Sequence, residues 1–111
     1  MEKLINSDDE VAYDLFLTIG KKQKDSTVSK LFGKPCFTFD GKSYMLFFQC
    51  ELVVKLKGLK HTDATKLQGA KLFDPSGKGR AMKEWVQIPF QHKSKWTILA
   101  NIALAECIAG K

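Results

Sequence analysis

The sequence predicts an α+β domain: a two-layer fold in which helices pack on an antiparallel sheet of about five strands, in the order α-β-β-β-α-β-β-α. Three observations point there. Apolar residues recur at helical spacing near the N-terminus and again, densely, at the C-terminus. Between them lie runs of alternating apolar residues, the period of strands. Asp40-Gly41 separates two of those runs, and an Asp-Gly pair is a strong short-range hairpin signal because both turn residues need positive φ. Strands joined by hairpins pair antiparallel, which leaves the helices to cover the sheet.

The first helix opens at Ser7. Ser7, Asp8, Asp9 and Glu10 form a capping box, and the carboxylates suit the positive end of the helix dipole. Val11, Leu15 and Ile19 make one apolar stripe with Ala12 and Phe16 beside it, and Gly20 with the lysine-rich run after it ends the helix. Capping accounts for the acidic patch without a catalytic role.

The strand block starts at Val28–Phe32, bends or bulges at Gly33 to Pro35, and resumes at Cys36–Phe39. Lys42–Phe48 returns antiparallel, Gln49-Cys50-Glu51 reverses the chain, and Leu52–Lys57 runs back. Tyr44, Leu46 and Phe48 alternate with Met45 and Phe47, so both faces of this strand carry large apolar groups. The second face therefore needs a cover of its own: a helix, a loop or another subunit.

A short helix follows over 61–69, with Thr62 as N-cap and Gly69 as C-cap. A brief strand over 70–74, a glycine- and lysine-rich loop, and a strand over 82–88 come next, and Pro89 ends the last of these. The final helix runs from Lys95 to Ala109 between Ser94 and Gly110. It is apolar almost all round, more than one sheet face can cover. Part of it, with Ile98, Ile102 and Ala105, is expected to meet a second copy in a homodimer; the competing arrangement tucks it under the N-terminal segment.

The 111 residues fit one domain spanning 1–111, and 44% hydrophobic residues supply a core. No run is long and apolar enough for a membrane span, and no secretory signal is visible at the N-terminus. Three cysteines, an odd number without a CxxC pair, fit reduced thiols in the cytoplasm. The net charge of +6 is uneven. Residues 1–20 hold one lysine against five acids, net −4, and the remainder holds seventeen basic against seven acidic residues, net +10. That surface either attracts an anionic partner or is a solvated lysine-rich face.

The loop over 75–81 brings Lys71, Lys78, Arg80 and Lys83 close to Trp85. It is not a Walker A loop: Gly79 stands where Ser or Thr should bind magnesium, Leu72 where the first glycine belongs, and a strand rather than a helix follows. Met82 replaces the third glycine of a dinucleotide fingerprint. The loop reads chiefly as a turn, with nucleic-acid contact as the alternative. His61 and His92 are isolated, so no metal site is expected, and no histidine can be assigned to a cysteine nucleophile. Neither a catalytic residue nor a cofactor is expected.

Several short patterns carry a resemblance to a family. Leu31-Phe32-Gly33, the hairpin glycine Gly41, Lys55 at the end of a strand, Phe73-x-Pro75 and Met82-Lys83-Glu84-Trp85-Val86, followed by an apolar helix, resemble the N-terminal domain family of TfoX. Leu31 stands for the family's methionine and Lys55 for its arginine; a lysine lacks the planar fork of arginine. The resemblance implies a fold like that of type III secretion chaperones, often dimeric, in bacterial regulators of competence. It implies no catalytic residues. The resulting expectation is a non-enzymatic, cytoplasmic regulatory or protein-interaction domain, with no membrane or metal partner. The alternative is a nucleic-acid-binding accessory using Lys71, Lys78, Arg80, Lys83 and Lys55.

Overall fold

The computed structural model describes residues 7–23, 25–31, 33–74, 79 and 82–110, with side chains from Val11 onward. The capping box at Ser7 and the family-motif positions Phe32 and Pro75 thus lie outside the described side chains, as do Lys78 and Arg80.

Helix α1 spans Ser7–Lys22 and does not stop at Gly20. The glycine serves packing instead. A Cβ placed on it would lie 2.2 Å from the ring of Phe37, so the missing side chain is the space that ring occupies. Ala12, Phe16 and Ile19 face the core. Phe16 meets Phe37 at 5.3 Å and Phe47 at 5.5 Å between ring centroids, tilted in both cases.

Four strands follow as a meander: β1 (Ser26–Leu31), β2 (Lys34–Phe39), β3 (Lys42–Phe48) and β4 (Glu51–Lys55). The expected bend at Gly33 to Pro35 is a full reversal. Leu31 pairs with Lys34, and Gly33, at φ +74°, takes the left-handed position of the turn. Pro35 is tolerated because the β2–β3 ladder begins one residue later, at Cys36 opposite Leu46. The sheet therefore has six strands rather than five. Asp40 and Gly41 have φ of 53° and 80°, as the hairpin reading requires. Gln49 and Cys50 reverse the chain with φ of 52° and 65°, although neither is glycine.

Helix α2 covers Gly58–Thr65, starting earlier than its expected cap. Thr62 lies inside it, and its hydroxyl donates back to the Gly58 carbonyl at 3.3 Å. Gly69 is past the helix end, at φ +85° in the turn into β5 (Lys71–Phe73). Strand β6 (Met82–Ile88) matches the expected 82–88, and a 3₁₀ turn over Phe90–His92 leads into α3 (Lys93–Ala109). The cap residue of α3 is His92, not Ser94, and Gly110 closes it by donating its N–H to the Glu106 carbonyl.

The antiparallel sheet has the order β1-β2-β3-β4-β6-β5, so β6 sits between β4 and the short edge strand β5. The main core lies between the sheet and the helices. Trp96, Ala100 and Ala103 bring α3 down on it, and the small alanines allow a close approach. The Trp96 indole donates to the Pro89 carbonyl at 3.2 Å, and its ring meets Phe90 edge-on at 5.6 Å. A second cluster, made of strand residues alone among those described, joins Cys36, Leu46, Val53, Phe73 and Trp85, with Leu31, Phe48 and Met82 at its margin. These side chains project from the sheet face opposite the helices, and Cys36, Leu46, Val53 and Phe73 among them are fully buried. Phe48 and Phe73 meet at 5.1 Å, and the Lys34 ammonium lies 5.4 Å above the Phe48 ring. No described helix is long and apolar enough to cross a membrane.

Candidate functional site

The basic loop is the first candidate. Of its residues, Lys71 on β5 and Lys83 on β6 are described, and both are exposed. Gly79 donates its backbone N–H to Asp74 Oδ2 at 2.8 Å, a contact that braces a turn. Trp85, considered for stacking on a base, is 93% buried in the strand cluster; its ring is core. Lys55 stands opposite Trp85 in the β4–β6 ladder and pairs with Glu84 at 3.6 Å near the surface.

The histidines are engaged by backbone. His61 Nε2 lies 2.6 Å from the Lys83 carbonyl, and His92 Nε2 lies 2.8 Å from the Gln68 carbonyl. Cys36 is buried with its sulfur 3.4 Å from the Ser43 hydroxyl, and Cys107 donates to the Lys42 carbonyl at 3.9 Å.

The outer surface of α3 is the second candidate. Ile98 is 61% exposed and Ile108 45%, with Ala105 exposed between them. Ile102 is different: it is half-buried against the core and lines a shallow groove beside Ala64 and Leu67 of the α2 region. Of the three expected interface residues, Ile98 and Ala105 remain open. A further groove of about 400 Å³ runs between α1 and α3, with Leu15, Ile19 and Leu104 among its walls. Gln23 and Asn101, also among its walls, belong to a polar chain that reaches the sheet. The Tyr44 hydroxyl donates to Gln23 Oε1, and Gln23 Nε2 donates to Asn101 Oδ1 at 3.0 Å. Burial raises the Tyr44 pKa above its ordinary 10.0; the neighbouring Ser26 hydroxyl pulls the other way, and Cys107 adds a small upward push.

The third candidate was not visible as a motif. A cavity of about 100 Å³ opens at the last turn of α3, walled by Lys42, Lys55, Lys57, Tyr44, Glu106 and Cys107 among others. Lys42 begins β3, Lys55 ends β4, and Lys57 follows two residues on. The β3–β4 ladder runs from Phe48 facing Glu51 to Met45 facing Val54, and the three lysines lie beyond its last pair, on the cavity wall. Lys57 Nζ also reaches the helix end, 3.5 Å from where a Cβ on Gly110 would lie. Glu106 Oε1 is buried without a hydrogen-bond partner. No local pattern in the sequence marks this site, because its walls come from residues far apart along the chain.

Compared with protein-family models, with curated proteins and with solved structures, the chain finds no match in any of the three.

Proposed function

We propose that this chain is a non-enzymatic bacterial regulatory or protein-interaction domain of the TfoX N-terminal kind, acting in the cytoplasm as a homodimer. The observation that carries the reading is the outer surface of α3. Ile98, Ala105 and Ile108 form an open apolar line along a helix whose opposite side, Trp96, Ala100 and Ala103, is already spent on the sheet. Two such lines laid against each other would remove both from water at about 25 cal/mol per Å² of apolar surface. The motif resemblance adds the link to competence or transcription regulation.

The experiment is sedimentation or light scattering of the whole chain across a concentration series. A dimer is expected, and Ile98→Asp should convert it to a monomer with an unchanged circular dichroism spectrum. A wild-type chain that stays monomeric at high micromolar concentration would overturn the dimer.

A second reading, a nucleic-acid-binding accessory, draws on Lys71 and Lys83, which stand exposed on the two strands flanking the basic loop. Phosphate contacts weaken steeply with salt. Failure to retard single- or double-stranded nucleic acid even at low salt removes this reading, and the dimer is untouched by that result.

A further inference from the structure

The lysine-walled cavity at the end of α3 has three features that ordinary surface solvation does not supply together. The first is a cluster of like charge. Lys42, Lys55 and Lys57 all line this one cavity. Like charges gathered in a small space repel one another, so the arrangement gains from an anion among them. Lys55 has a partner in Glu84, but that pair is long, at 3.6 Å, and its side chains are 42% and 63% exposed, the kind of contact that holds a lysine only weakly. Lys57 gains from the negative end of the α3 dipole, and Glu106 is the one carboxylate among the described lining residues, set against three ammonium groups.

The second feature is the oxygen of Glu106. It is enclosed, accepts no hydrogen bond, and belongs to a residue that walls the cavity. A buried carboxylate oxygen with no donor is unfavourable. A donor arriving with a ligand would satisfy it. The third feature is anchorage. The Cys107 thiol donates to the Lys42 carbonyl and the Tyr44 hydroxyl is held by Gln23, so the helix wall and the strand wall are tied to one another.

We infer that this cavity binds a compact oxyanion that carries its own hydrogen-bond donor, such as a small hydroxycarboxylate or a protonated phosphate. The charged oxygens lie among the ammonium groups of Lys42, Lys55 and Lys57. The ligand's O–H donates to Glu106 Oε1. Lysines approach such a group from several sides as point charges, whereas the paired geometry of an extended carboxylate fork would call for arginine. A volume of about 100 Å³ suits a group of a few heavy atoms. This inference is independent of the dimer: none of Ile98, Ala105 and Ile108 lines the cavity.

The test is a ¹H–¹⁵N NMR titration of the whole chain with glycolate, acetate and inorganic phosphate, each against sodium chloride at matched ionic strength. Glycolate and acetate share a carboxylate, but only glycolate has a hydroxyl beside it. Saturable shifts are expected for glycolate at the amides of Lys42, Lys57, Glu106 and Cys107. Acetate should bind about tenfold more weakly, the loss of one hydrogen bond to a charged group. Phosphate shifting the same amides in place of glycolate assigns the ligand to phosphates and supports the site. Lys42→Gln/Lys57→Gln should abolish the shifts while its spectrum stays dispersed. Glu106→Gln should erase the preference for glycolate over acetate and leave residual anion binding. Equal binding of glycolate and acetate by the wild-type chain would overturn the role of Glu106. Absence of any saturable shift with all three anions would overturn the site.

Discussion

Gly20 shows how one missing atom decides a contact. Within a helix, alanine outranks glycine by up to about 1 kcal/mol, so Gly20→Ala would be stabilising on propensity alone. Here the added methyl would fall 2.2 Å from the Phe37 ring, which also packs against Phe16, one turn earlier on the same face of α1. Overpacking of this kind costs about 1–3 kcal/mol and should win. Gly20→Ala is expected to lower the denaturant midpoint, and adding Phe37→Leu should recover part of the loss in a double-mutant cycle. Tyr44 supplies a pH-dependent prediction. Its folded pKa is raised above 10.0, so the native state holds the phenolic proton more tightly than the unfolded chain does. The resulting stability is complete below pH 10 and disappears as pH climbs through the folded value. Unfolding free energies measured across alkaline pH should fall there, and Tyr44→Phe should flatten that part of the slope.

At the scale of elements, the hairpin turns differ in how much strain they hold. Asp40-Gly41 places glycine in a left-handed position, whereas Gln49-Cys50 forces two side-chain-bearing residues to similar angles. Gln49 is exposed, and asparagine tolerates this conformation better. Gln49→Asn is expected to raise stability by about 0.5 kcal/mol in thermal or denaturant melts. The same comparison shows what was legible in the sequence. Asp40-Gly41 announced its hairpin because its residue types are those the angles demand. The reversal at Gly33 read as a bulge because Pro35 beside it resembles a break within a strand; that the proline sits just beyond the β2–β3 ladder is a fact of pairing, which no local pattern carries. Gly20 read as a helix end for a similar reason, since its function lies in a ring seventeen positions away. The strand over 82–88 was readable although Glu84 interrupts its apolar side, yet the partner of that strand was not. The α3 surface was legible as excess hydrophobicity, but which of its isoleucines point outward depends on where Trp96 lands. The lysine cavity was the least legible, because its walls come from separate elements and only the tertiary packing unites them.

For the molecule as a whole, stability should fall toward one side. Strand β5 has three residues, one neighbour and an irregular register with β6, whereas β2, β3 and β4 are paired on both sides. Local opening is easiest where buried contacts and ladder bonds are few. In native-state hydrogen exchange, the amides of Lys71–Phe73 should exchange well ahead of those in β3 and β4, and equal protection across the sheet would contradict this gradient. The polar chain from Tyr44 through Gln23 to Asn101 works in the opposite sense, since it joins the end of α1, the sheet and α3 in one cooperative unit.

The sheet order also sets a timetable for synthesis. A ribosome makes β1 to β4 as a ribbon of nearest neighbours, each able to pair as soon as its predecessor has emerged. The outer backbone of β4, with Leu52 and Val54 on it, then waits through some thirty further residues for β6 to arrive. At the usual pace of translation, about 5–20 residues per second, that wait is a matter of seconds. Throughout it the nascent chain presents an unmatched apolar border, and this is the moment at which a holding chaperone would have most to protect.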